Sequence, residues 1–267
     1  MKPHTPSLEN AAAPTRRRQR TPPPQDRASA RERCRALLAR MEQLGSPRGL
    51  ENLSYFGIRA ARAYGLSAPQ MHALALELWR SGVHDARHIA ALVADPRLCT
   101  ESLLERWARD FTSWDVVDTC CCYLFIYTAH GWKQAVEWSR GPEEFVKRAA
   151  FSLMAYLAVH DKAAPDKKFL RVLPIIEREA GDDRNFVRKT VNWALRQIGK
   201  RNLRLNRSAI AAGERIRRQG SRAARWIAAD ALRELRSEAV QKRLRARAKQ
   251  RPGGPARASR SRMRVKP

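Results

Sequence analysis

The chain has 267 residues, 43% of them hydrophobic, and sets 53 Lys and Arg against 26 Asp and Glu for a formal net charge of +27. That apolar share suffices to bury a core and excludes a wholly disordered chain, while the charge points to nucleic acid ahead of an anionic membrane as partner. Every apolar run is broken well short of the roughly 18 residues of a spanning helix, and the first residues lack the apolar core of a secretory signal, so a cytoplasmic protein with no membrane partner is expected.

Residues 1–28, rich in Pro, Arg, Ser and Ala, read as a disordered tail. A helical domain is expected over 29–240. "SAPQMHALALELWRSG" opens with Ser67 three residues before Gln70, a capping box that tolerates Pro69 in its first turn. "DARHIAALVADP" reads as a short helix stopped by Pro96. His84 and His88 are four apart, but Asp85 stands where a metalloprotease helix carries Glu, so surface histidines are expected and no metal.

"FTSWDVVDTCCCYLF" places Trp114 and Asp118 four apart, on one helical face, with Asp115 turned away by about 100°. Thr112 and Asp115 fit a capping box. The five cysteines form no C-x-x-C pair, and the three adjacent ones diverge on a helix, so they read as core residues. Trp79, Trp107, Trp132, Trp138 and Trp226 are assigned to the core as well.

"EEFVKRAAFSLMAYLAVH", "DKKFLRVLPIIEREAG" and "RNFVRKTVNWALRQIGKRN" continue the helical period. "FVKRAAFSLMAYLA" from Phe145 and "FVRKTVNWALRQIG" from Phe186 align at an offset of 41 residues, pairing Lys147 with Arg188 and Arg148 with Lys189; "ARWIAADALREL" is a degenerate third copy. A two-helix unit near 40 residues indicates an all-α, HEAT-like repeat solenoid, whose equivalent edges face one concave surface. From 241 to 267 every charged residue is basic, which predicts a second disordered tail.

"YGLSAP", "SWDVVD", "FVKRAA" and "FVRKTVNWALRQIGKRN", in this order between about Leu53 and Leu235, resemble the AlkD-type DNA alkylation repair proteins, the HEAT-like repeat DNA glycosylases. The resemblance implies that Asp118 is the catalytic carboxylate, that Trp114 and Trp193 flank the lesion nucleotide, and that Arg148 holds the nearby phosphate. Arg196 is then a backbone contact, and the repeat offset independently places Lys147, Arg188 and Lys189 on the same concave surface as DNA-binding residues. Phe56 stands where the family often has Tyr, with Tyr55 beside it.

The implied activity is excision of alkylated purines such as 3-methyladenine or 7-methylguanine from double-stranded DNA, by a monomer that uses neither metal nor organic cofactor. The chemistry agrees: a carboxylate can stabilise the cation that develops as the base leaves, and indole faces attract cationic bases. Two alternatives are a non-catalytic module that binds distorted or branched nucleic acid and an RNA- or ribosome-associated adaptor.

Overall fold

The computed structural model describes residues 29–43 and 65–250. Phe56, Tyr55 and the segments 1–28 and 251–267 lie outside the described residues. Within them, the helices in chain order are α1 (Ala30–Gln43), α2 (Ala68–Arg80), α3 (His84–Val93), α4 (Glu101–Arg109), α5 (Trp114–Tyr123), α6 (Gly131–Glu137), α7 (Glu144–His160), α8 (Asp166–Arg178), α9 (Asn185–Gly199), α10 (Leu203–Arg218), α11 (Arg222–Arg236) and α12 (Glu238–Gln250). The described residues contain no strand, as the unbroken helical periodicity requires.

Local chemistry sets the helix starts. Gln70 Oε1 accepts the Ser67 amide at 2.9 Å, so the capping box of α2 forms. Asn202 and Ser221 cap α10 and α11 through the amides of Leu205 and Ala224, at 2.9 and 3.1 Å. Gly220, at φ +76°, supplies the left-handed turn that ends α10 and lets α11 fold back.

The helices form two layers. α3, α5, α7, α9 and α11 lie side by side, each packed against the next, and α6, α8, α10 and α12 cover them. α7 sits mid-layer with Ala149, Ala150, Phe151, Leu153, Met154 and Ala155 fully buried. Its relation to α9 is the 41-residue step seen in the sequence, with the equivalent rings of Phe145 and Phe186 5.4 Å apart. Each inner helix follows an outer one, so their N-terminal ends share one edge, which concentrates positive helix-end potential there.

The fold differs from expectation at its C-terminal end. Residues 241–250 complete α12 rather than beginning a tail, because Val240 and Leu244, one turn apart, are buried. Gln241 Nε2 donates to Asn206 Oδ1 and to the Leu235 carbonyl at 3.0 and 2.7 Å, fastening α12 to the preceding pair. Among the described residues, no helix is long and apolar enough to cross a membrane.

Close packing at this end gives a direct test. A Cβ on Gly199 would lie 2.6 Å from Leu235 Cδ2 and 3.0 Å from Ala209 Cβ, and Leu235 is itself fully buried. Gly199→Ala gains about 1 kcal/mol of helix propensity, but overpacking costs about 1–3 kcal/mol. Urea denaturation is expected to show net destabilisation; a more stable variant contradicts this packing.

Candidate functional site

The centre of the site lies where α5 meets α7. Ser113 holds an extended backbone at the N-cap, so α5 starts at Trp114, one residue later than the Thr112–Asp115 capping box requires; that expectation is corrected. Trp114 is 51% exposed. Asp118, one turn on, points towards α7 with its side chain 19% exposed.

On α7, Arg148 and Ser152 are also one turn apart and both reach the carboxylate. Arg148 Nη2 donates to Asp118 Oδ2 at 2.7 Å, and Ser152 Oγ donates to Oδ1 at 2.9 Å. Arg148 Nη1 donates to the Phe186 carbonyl at 3.2 Å, which ties the pair to α9. The guanidinium lies 5.8 Å from the Trp114 ring centre.

Burial raises the Asp118 pKa above the usual carboxylate value, and the charge and hydrogen bond of Arg148, with that of Ser152, oppose the rise without cancelling it. A carboxylate so placed is poorly hydrated, so its field reaches a neighbouring cation with little screening.

Trp193 on α9 is half-buried and packs edge-on against Tyr156, with ring centres 4.7 Å apart and planes at 84°. Burial, with the Asp118 charge next, pushes the Tyr156 phenol up, so it stays protonated near neutral pH. Ser152 and Tyr156 are site residues that no sequence motif singles out. Their signal was available: Arg148, Ser152 and Tyr156 recur every four residues, a single stripe along α7.

The basic residues divide. Lys147 is buried, with Nζ 2.6 Å from Glu179 Oε2 and 3.5 Å from Asp182 Oδ2. It is a structural ion pair in this arrangement, and the expected phosphate contact is corrected. Its repeat equivalent Arg188 is half-exposed and stacks on Trp226 at 4.8 Å. Trp226 is 39% exposed and so not a core residue as expected. Lys189 is exposed. Arg196 bonds Glu234 at 2.7 Å and lies 3.4 Å from Asp230, which commits it to α11.

Trp79, Trp107 and Trp138 are core residues, 3–4% exposed, and Trp132 packs against that core. All five cysteines are free, and burial raises the thiols of Cys120 and Cys121 well above their usual value, in keeping with a core role. A cleft of about 1180 Å³ near the end of α12 is lined by basic residues that include Lys162, Arg204, Arg207, Arg243 and Arg247.

The histidines are not both at the surface. His88 is buried, and Asp115 Oδ2 lies 2.9 Å from His84 Nε2 and 3.5 Å from His88 Nε2. The four-residue spacing puts His84 and His88 on one helical face, but Asp115, on the neighbouring helix, is invisible to local spacing. Burial opposes ionisation of Asp115, yet its contacts with Ser113, His84 and the Val116 amide outweigh that and hold it down at about 2.

A family model described as "DNA alkylation repair enzyme" matches residues 37–235. No curated protein sequence gives a significant match. A solved structure described as a new family of proteins related to the HEAT-like repeat DNA glycosylases, with affinity for branched DNA structures, superposes with a TM-score of 0.58. Identity is 18%, over 79% of this chain and 95% of that one, so the likeness is one of fold: the inner and outer layers are HEAT-like repeats.

Proposed function

Because the chain belongs to the DNA alkylation repair enzyme family, we propose that it is a DNA glycosylase that hydrolyses the N-glycosidic bond of alkylated purines of the 3-methyladenine and 7-methylguanine type. The observation that carries this reading is a desolvated carboxylate, Asp118, oriented by Arg148 and Ser152 next to the half-exposed indole of Trp114.

An N3- or N7-alkylated purine is cationic, and its departure leaves an oxocarbenium-like sugar. The Asp118 carboxylate stabilises that developing charge and orients the attacking water. Trp114 and Trp193 present aromatic surfaces to the cationic nucleotide, worth about 0.5–2 kcal/mol for each such contact. The alkylated base leaves readily, so no strong general acid is needed.

Arg148 is assigned a different part from the one the resemblance implies. Its side chain is 8% exposed and both terminal nitrogens are engaged, so it positions Asp118 rather than holding a phosphate. The phosphate contacts fall to Arg188 and Lys189 on the next repeat, at the edge where the inner helices begin.

The second reading, a non-catalytic module for branched DNA, is favoured by the affinity described for the solved relative. Charge selectivity separates the two. Duplexes carrying cationic 7-methylguanine or 3-methyladenine are expected to release free base, while unmodified guanine and adenine stay in place. Intact methylated duplex, alongside tight binding to a four-way junction, is the outcome that favours the second reading.

A further inference from the structure

The histidine pair that the glycosylase reading leaves unused has the arrangement of a cation site. His84 and His88 lie in the first turns of α3, and Asp115 at the start of α5 closes the group. One ligand atom from each of the three lies within 4.8 Å of the other two.

Hydrogen bonding fixes which nitrogen of His88 is bare. Thr119 Oγ1 donates its one proton to the Asp115 carbonyl at 2.9 Å, so at 2.8 Å from His88 Nδ1 it must accept. Nδ1 therefore carries a hydrogen, and in the neutral ring Nε2 presents a lone pair. That Nε2 is buried and makes no hydrogen bond, although the residue is only 8% exposed. It faces a carboxylate oxygen 3.5 Å away, beyond normal hydrogen-bond length, so in the neutral ring two acceptors confront each other. Such a buried orphan acceptor is costly unless a cation sits between the two.

We propose that His84, His88 and Asp115 bind a divalent first-row transition ion of the zinc class. Two imidazoles and one carboxylate suit Zn²⁺ or Fe²⁺ and not Mg²⁺ or Ca²⁺, which select oxygen ligands. Tetrahedral ligands about 2.0–2.1 Å from zinc sit roughly 3.3–3.4 Å apart, near the 3.5 Å from His88 to Asp115, whereas the 2.9 Å from His84 is a hydrogen bond that the ion would replace by a small opening of the pair. Thr119 supplies the outer hydrogen bond that orients a ligating imidazole. The side chain of His84 is 45% exposed, so the remaining coordination positions open to solvent. The helix starts of α3 and α5 disfavour a cation there, and the Asp115 carboxylate offsets them.

Such an ion would clamp α3 to the first turn of α5, the turn that carries Trp114. This inference does not depend on the glycosylase reading. Its test uses the full chain, stripped with a chelator and titrated with Zn²⁺ by calorimetry and with Co²⁺ by visible absorption.

One Zn²⁺ per chain is expected, with a rise in thermal midpoint. Because His84 is exposed, His84→Ala should fold normally yet bind at least about tenfold more weakly and lose the thermal rise; Asp115→Asn should behave alike. No uptake by the wild type, uptake unchanged in His84→Ala, or uptake abolished instead by Cys122→Ser would each overturn the proposal.

Discussion

Lys147→Ala is expected to destabilise the fold by about 3 kcal/mol, the lower end of the range for opening a buried ion pair, rather than act mainly on DNA affinity. The side chains of Lys147, Glu179 and Asp182 are 11, 13 and 11% exposed, so removal of the ammonium leaves two poorly hydrated carboxylates. Arg178 and Arg184, each 2.6 Å from one of them, remain and hold the loss to that lower end.

The pH dependence has a definite sign. Burial opposes ionisation of Glu179 and Asp182, but the hydrogen bonds and charges of Lys147, Arg178 and Arg184 outweigh it and lower both pKa values below 4.5 and 3.8. Their contribution is present above those ordinary values and lost as pH falls through the lowered folded ones. Urea denaturation should therefore show the gap between wild type and Lys147→Ala narrowing in acid. An unchanged stability with weakened DNA binding would return Lys147 to the surface role that its repeat equivalent Arg188 holds.

Asp118→Asn is expected to lower base release by about 10²–10³-fold, the usual effect of removing one oriented electrostatic contact to a developing charge, with DNA affinity changed only a few-fold. Asn keeps the shape of the side chain and can still accept from Arg148, but the negative charge is gone. Because burial raises the Asp118 pKa above the usual 3.8, wild-type release should fall on the acid side at a pH above that of an exposed aspartate. The variant should show no such limb. A thermal melt belongs beside the assay, since Arg148 is left without its counter-ion.

Much of the fold could be read from local pattern. The helical period, the Ser67–Gln70 cap and the Phe145–Phe186 offset depend on neighbours within one helix or on repetition, and each appears in the structure. What escaped depends on partners far along the chain. Lys147 and Arg188 are equivalent in the repeat, yet among the described residues Lys147 alone of the two meets carboxylates, from the turn after α8. His88 became a buried group because Asp115 and Thr119 come to it from α5. α12 was hidden by composition: two apolar positions among many Arg and Lys suffice for docking when the groove is already built.

The site divides the same way. Trp114, Asp118 and Arg148 come together where α5 meets α7, whereas the commitment of Arg148 to Asp118 and to the Phe186 carbonyl is a tertiary fact. Ser152 and Tyr156 needed only the four-residue stripe that starts at Arg148.

The most direct measurement is release of free 7-methylguanine from methylated duplex DNA by wild type and Asp118→Asn in single turnover, with binding measured on the same samples. Release by the wild type that is lost in the variant while binding persists is the predicted result. No release by either protein, with equal and tight binding, would contradict the assignment of Asp118 as the group that acts on the lesion.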